Sequence, residues 1–446
     1  MRWDLESIAA TVHGIAVGEA PITAVITDSR LARPGALFVA LRGAQSDGHE
    51  FAATALATGA AAALVEPGRL PAGGVGVEVA DPAAALIALG VRRRSELSLP
   101  VVAVTGSSGK TTTKDLIGAV LGPQAHVSPS SFNNEIGVPL TVLECPNDAS
   151  ALVLEVGSRG VGHITALAAL IRPDVAVITN VGPAHLEMFG DLATVRRAKW
   201  ELVDALPASG VAVLPVADPE LVGMRQGACV TFGEDPTADV AVAEVEVDRL
   251  GRATFTLAHG DRRARVALAV AGRHQTVNAA AAVASAVALG MDFATAADRL
   301  AEAKLSPWRM EVLERDVPGG QVVIVNDAYN ANPASMESAF VTVAAMPGRH
   351  LAVLGMMHEL GVDSPALHEA VGRRAAELGF EVIVVGDDPG IARGAGSAVV
   401  AVVADPAAAV AAVSSRLRPG DVVLVKASRA TGLEQLGERI GGGAAA

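Results

Sequence analysis

A chain of 446 residues with a formal net charge of −13 exceeds what one hydrophobic core usually fills, so two or three domains are expected. Thirty-five basic against 48 acidic residues repel polyphosphate backbones, which sets nucleic acid aside as a partner. Cys145 and Cys229 are the only cysteines; they exclude a disulfide framework, read as small buried hydrophobes and fit a reducing compartment.

The opening "MRWDLESIAATVHG" carries Asp4 and Glu6 where an export signal would have a basic start and an uninterrupted apolar run. Alanine-rich stretches such as "AAAAVASAVALG" fall short of the ~20 apolar residues that a membrane span needs. A cytosolic protein is therefore expected. Over residues 1–97, "ITAVITD", "ALFVAL", "AAALVEP" and "VGVEV" read as short strands and "GHEFAATALATG" as a helix, a small α/β domain. Residues 98–306 alternate apolar strands ("VVAVT", "ALVLEV", "VAVIT", "VAVLPV") with helices, the mark of a mainly parallel sheet covered on both faces. The less regular residues 229–269 alternate like antiparallel strands in "TFTLAHG" and "RARVALAV", and a helix is expected over 274–289. At "LSPWRMEVL" Pro307 is expected to end the preceding helix. Residues 307–446 then resume the strand-helix rhythm as a doubly wound domain, with a frayed tail at "GERIGGGAAA". With no long apolar stripe to cover, a monomer is expected.

One loop carries chemistry: Gly106-Ser107-Ser108-Gly109-Lys110-Thr111, between "VVAVT" and the amphipathic "DLIGAVL". The strict phosphate-loop pattern fails, because Val104 stands where its first glycine belongs. The physical ingredients remain. Two glycines let backbone N–H groups turn on an anion, a helix N-terminus faces the same point, Lys110 reaches terminal phosphates, and Thr111 or Thr112 offers a hydroxyl to Mg²⁺. The mononucleotide follows from this; its fate, whether hydrolysis, transfer to an alcohol or activation of a carboxylate, stays open. Glu155 and His185 fall just past the ends of probable parallel strands, where open sheets place ligands. Each alone also reads as an ordinary strand-end acid or loop histidine.

"VTGSSGKTTTKDL", "NNEIGVPLTVL", "EVGSRGVGHI", "NVGPAHLEMFG", "AKWEL", "GRHQTVNAAAA", "NDAYNANPASM", "ELG" and "VKASR", in this order, resemble the ATP-dependent Mur ligases of peptidoglycan synthesis. "TDSRLARPGALFVALRGAQSDGHEF" resembles their nucleotide-sugar domain. "DAYNANPASM" and "NNEIGVP" are most similar to members that join D-alanyl-D-alanine to UDP-N-acetylmuramoyl-tripeptide. The resemblance implies a three-domain α/β architecture with a central phosphate-loop sheet and a C-terminal Rossmann-like domain: 1–97 for the UDP-sugar, 98–306 for ATP, and 307–446 as the ligase domain. It implies ATP and two Mg²⁺ ions. Lys110 would meet the β- and γ-phosphates, Thr111 the first Mg²⁺, Glu155 and His185 the metal centre, and a carbamylated Lys199 the second Mg²⁺. Asn278 and Asn326 would lie near adenine, Asp327 at the ribose and Arg309 at the γ-phosphate. Ser29 and Arg30 match the nucleotide-sugar segment, while Asn133, Asn134, Asn330, Asn332 and Arg429 sit in cleft motifs. A second reading of "KWEL" stands beside this one, a solvent-facing helix with Lys199 and Glu201 as surface charges.

Pro215, Ala217, Gln275 and Met356 depart from the family pattern and put nucleotide contacts in question. Other readings stay beside the main one: the ligase that adds the preceding, third amino acid; a folylpolyglutamate-type ligase; a phosphate-loop kinase or GTPase; and a non-catalytic nucleotide-binding protein. A diaminopimelate-selecting Asp-Asn-Pro-Arg tetrapeptide is missing from the sequence, which argues against the first of these.

Overall fold

The computed structural model describes residues 1–43, 46–182, 189–358 and 360–440. Three main sheets follow one another along the chain. The first has five strands in the spatial order Ile15–Val17, Gly76–Glu78, Ala62–Val65, Ala36–Val39 and Ala24–Ile26; only the first pair is antiparallel.

The second sheet has nine strands. Every residue of Val101–Thr105 and Ala151–Glu155 is buried, which is why these runs do not alternate: parallel strands are covered on both faces. Val101–Thr105 lies between Ala151–Glu155 and Val175–Ile178, so the connections leave it to opposite sides. That makes its carboxyl end a topological switch point, and Gly106 begins there.

The antiparallel pairing expected of "TFTLAHG" and "RARVALAV" holds, in Arg252–His259 and Arg262–Ala271. Cys229–Gly233 instead extends the parallel part beside Val211–Pro215, because the connecting helix Pro219–Met224 makes a crossover rather than a hairpin. Val240–Val247, Arg252–His259 and Arg262–Ala271 are then antiparallel. The helix Gln275–Ala288 packs its alanines into the same core as Leu116, Ile117 and Phe255. Small side chains let it come close to the sheet and to the helix Lys110–Leu121.

Pro307 does not end the preceding helix. Phe293–Arg299 passes into a 3-10 turn, Leu300–Glu302, and the chain is extended by Ala303, because Leu300 and Ala303 sink into the central core. The third sheet runs Glu311–Val317, Gly320–Asn326, Val422–Lys426, His350–Leu354, Glu381–Val385 and Val399–Val403, parallel except for its opening hairpin. The tail is docked as far as it is described: Leu433, Leu436 and Ile440 are buried against this sheet, an apolar spacing that a glycine-rich ending obscures. Among the described residues, no helix is long and apolar enough to cross a membrane.

Candidate active site

A cleft of about 580 Å³ opens over the carboxyl ends of the central strands and is closed on its far side by residues of the third sheet. The loop 106–109 forms its floor. Gly106 has φ 152°, and a Cβ there would fall 1.8 Å from Thr179 Oγ1. Gly109 has φ 75°, and no side chain caps the helix Lys110–Leu121 that it begins. The first-turn N–H groups are therefore left for an anion. Loop position is set from outside: Asn180 accepts from the Ser107 and Ser108 amides, and Thr179 Oγ1 donates to the Ser108 carbonyl at 2.6 Å.

Lys110 Nζ donates to the Gly106 carbonyl at 2.9 Å. Its stem is half-buried, yet the ammonium itself is deeply set; desolvation pulls its pKa below the usual lysine range, Arg309 adds to this and Glu155 opposes it. Bound phosphate would reverse the shift. Thr111 Oγ1 donates to Glu155 Oε2 at 2.7 Å, and Asn133 Nδ2 donates to Glu155 Oε1 at 2.8 Å. Glu155 is thus a buried carboxylate rather than a surface acid.

Lys199 is 5% exposed and, among the described residues, has no hydrogen-bond or ion-pair partner, so the surface reading of "KWEL" fails. Burial, then repulsion from Lys110, pushes its pKa down to about 7. Glu201 is used differently, accepting from the Gly162 and Thr165 amides at the start of the helix His163–Ile171.

From the turn that leads into the third sheet, Arg309 Nη2 donates to Ser131 Oγ at 3.1 Å, and its guanidinium lies 4.1 Å from the Tyr329 ring centre. Arg309 Nε is buried without a partner among the described residues, an unspent donor facing an anion site. Asp327 lines the cleft, but its oxygens already accept from the Met310 amide (3.0 Å) and Lys426 (2.5 Å). Asn278 lines the base of the loop and donates to Gln275 Oε1 at 2.7 Å. Asn134, Asn330 and Asn332 also line it, with Asn134 holding the start of the helix Gly137–Glu144 and Asn332 capping Pro333–Ala344.

Not every expected residue is brought together here. Asn326 is fully buried, donates to the Glu434 carbonyl and does not line the cleft. Strand alternation sends it under the sheet while its neighbour Asp327, one residue past the strand, faces the cleft. Arg429 lies beside the cleft, 5.3 Å from the Tyr329 ring, and does not line it. Ser29 and Arg30 lie in a 3-10 turn after the strand Ala24–Ile26, with Arg30 exposed and paired to Asp28. His185 lies outside the described residues. Of the departures, Pro215 and Ala217 line the cleft, Gln275 orients Asn278, and Met356 lies away from it, its carbonyl accepting from the Ser428 amide.

Sequence reasoning missed Ser131, Arg159, His163, Asn180 and Tyr329, all of which line the cleft; Ser131 also bridges Thr111 and Arg309. His163 pairs with Glu135 at 2.6 Å. The glycine-flanked "GVGHI" could have flagged His163, as a helix beginning after a glycine turn; nothing local marks the others.

An oxygen-lined, carboxylate-bearing cradle for phosphate faces a cation, Arg309, from the turn that leads into the third sheet, an arrangement suited to nucleotide-dependent phosphoryl transfer. Family models for the Mur ligase family catalytic domain, the Mur ligase middle domain and the Mur ligase glutamate ligase domain match residues 21–92, 104–286 and 308–429. The chain belongs to the Mur ligase family. It is 41% identical to the UDP-N-acetylmuramoyl-tripeptide--D-alanyl-D-alanine ligase of Mycobacterium tuberculosis, over 91% of this chain and 89% of that one. The Escherichia coli protein of that name is 33% identical, over 93% of each. Among solved structures, MurF from Acinetobacter baumannii superposes with a TM-score of 0.87 at 32% identity over 99% of both chains. MurF from Thermotoga maritima in complex with ADP gives 0.81 at 32% identity, covering 94% of this chain and 97% of that one.

Proposed function

We infer that this chain joins the terminal carboxylate of UDP-N-acetylmuramoyl-tripeptide to the amine of D-alanyl-D-alanine at the expense of ATP, as a cytoplasmic monomer in peptidoglycan precursor synthesis. The observation that carries this reading is that likeness to ligases named for that reaction runs through more than nine-tenths of the chain, not through the phosphate loop alone. Three domains divide the work: 1–97 takes the UDP-sugar with Ser29 and Arg30, 98–306 takes ATP, and 307–446 completes the ligase cleft.

A carboxylate is a poor electrophile. Passing the γ-phosphoryl group to it creates an acyl phosphate, which the dipeptide's neutral amine then attacks, releasing phosphate. The loop amides and Lys110 would bind the phosphates, and Arg309, whose Nε is unspent, would reach the transferring group. The hard oxygen pair Thr111–Glu155 suits Mg²⁺, with phosphate and water completing its shell, since no cluster of three metal-binding side chains exists among the described residues. Mg²⁺ supplies charge neutralisation when bound. A Lys199 amine near neutrality is competent to add CO₂ with loss of a proton, and the carbamate, with His185 as a further ligand, would serve the second Mg²⁺. Asn278 would lie by the base and Asp327 by the ribose. Asn133 would orient Glu155, and the cleft placing of Asn330 and Asn332 supports a part in holding substrate.

Phosphate release measured by a coupled assay should require the tripeptide nucleotide and the dipeptide together. ATP consumption indifferent to both would end this reading and favour a kinase or a binding protein.

A further inference from the structure

The run "TTTKDL" begins the phosphate-loop helix, and two of its residues, Lys114 and Asp115, are left unused by the chemistry above. Lys114 is 1% exposed. A lysine ammonium has three donors; here two go to the Ser128 carbonyl at 2.6 Å and the Ser130 carbonyl at 3.0 Å, and the charge is paired with Asp115 Oδ1, 2.8 Å away. Both carbonyls can face one ammonium because Ser130 takes a left-handed backbone conformation, φ 48°, uncommon for a residue with a side chain. The other oxygen of Asp115 accepts from the Ser306 amide at 2.7 Å.

Two charge-assisted hydrogen bonds, one ion pair and a further charge-assisted hydrogen bond thus run from one cleft wall to the segment that joins the second and third sheets. Its two ends lead to residues that meet again over the phosphate loop. Ser131 follows Ser130, and Arg309 follows Ser306 by three positions; Arg309 Nη2 donates to Ser131 Oγ. The turn that carries Arg309 is strained on both sides of it, with Trp308 at φ 62° and Met310 at φ 50°, so it holds only where its surroundings fix it.

Resting on the ligase reading, we propose that Lys114 and Asp115 are positioning residues: a buried strut that sets where Arg309 and Ser131 stand over the transferring phosphate. Neither touches substrate. Asp115 fixes the entry to the Arg309 turn, and Lys114 fixes the 128–134 segment, whose Asn133 orients Glu155.

Two measurements test it on the full chain. Hydrogen exchange without added substrates should show residues 303–310 exchanging about tenfold faster or more in Asp115→Ala, with both 303–310 and 128–134 faster in Lys114→Met. In steady state, Asp115→Ala should lower kcat about tenfold to a hundredfold with KM for ATP little changed, as expected when a reacting group is misplaced by a fraction of an ångström. Asp115→Asn, whose amide oxygen still accepts from Ser306 but whose NH₂ then faces the Lys114 ammonium, should recover part of the loss. In an Arg309→Ala background, Asp115→Ala should cost no more than about twofold further, because residues acting through one group are not additive. Unchanged exchange over 303–310, an Asp115→Asn as poor as Asp115→Ala, or fully multiplicative losses with Arg309→Ala would each overturn the strut. If Lys114→Met does not fold, the Asp115 variants decide alone. Wild-type protein that releases no phosphate with both substrates refutes the ligase reading instead, while the exchange comparison, needing no substrate, still decides the strut.

Discussion

Lys110 spends its ammonium on a backbone carbonyl of its own loop, 2.9 Å away, rather than on a carboxylate. Replacing that neutral contact by triphosphate is favourable, and Lys110→Ala should leave the fold intact while lowering kcat a hundredfold or more, about 3 kcal/mol of transition-state stabilisation. Phosphate release at saturating Mg·ATP, beside an unchanged melting temperature, checks this. Lys199 yields a prediction with a sign. Its pKa near 7 means the charged ammonium dominates below that pH and the amine above it, and only the amine adds CO₂. Activity should fall as pH drops from about 7, and added bicarbonate should move that limb toward acid. Lys199→Arg should stay inactive and Lys199→Ala should be partly restored by a small carboxylic acid; a pH–rate profile indifferent to bicarbonate counts against the carbamate. Glycine spacing and strand ends made Lys110, Thr111 and Glu155 legible in the sequence. Tyr329 and Ser131 were not, because their place depends on two distant segments meeting at Arg309.

Among elements, the phosphate loop has little room to change. An alanine at Gly106 would put its Cβ 1.8 Å from Thr179 Oγ1, the hydroxyl that anchors the Ser108 carbonyl. Gly106→Ala should therefore displace the loop, with loss of activity and about 1–3 kcal/mol of stability, measurable by urea unfolding. The helix Pro82–Glu96 belongs to the first region by sequence but is bonded to the second. Arg94 donates to the carbonyls of Ile171, Leu97 and Arg172, and Gly90 lets the helix approach Pro139. Arg94→Ala would strand buried carbonyl oxygens, and we expect a loss of about 2–4 kcal/mol with KM for ATP unchanged. Strand and helix identities were readable from apolar runs and their length. Strand direction at Cys229–Gly233 was not, since alternation over five residues cannot tell a crossover from a hairpin. Nor was the end of Phe293–Arg299, set by what Leu300 and Ala303 pack against rather than by the proline that follows.

At the scale of the whole molecule, the cleft draws its floor from the second sheet and its far wall from the third, so amine and carboxylate meet only where both contribute. The carboxylate must be activated before the amine attacks, and the rate then depends on holding that amine beside the acyl carbon. A pocket built for a dipeptide leaves distant polar groups unpaired when a single amino acid enters, and unpaired buried polar groups discriminate by several orders of magnitude. D-alanyl-D-alanine should therefore be joined to UDP-N-acetylmuramoyl-tripeptide, while free lysine, diaminopimelate or a single alanine should not, even at concentrations well above those that saturate with dipeptide. Mass spectrometry of the product formed with each amine decides it. A gain of one dipeptide less water on the tripeptide is the expected result. One amino acid added to the UDP-N-acetylmuramoyl-dipeptide would instead assign the preceding step, and glutamate added to a folate would assign the folyl-type reaction. Because Tyr329, Asn330 and Asn332 line this cleft beyond Asp327, exchanging residues 329–333 alone for those of an amino-acid-adding ligase should weaken dipeptide use while leaving ATP binding in place.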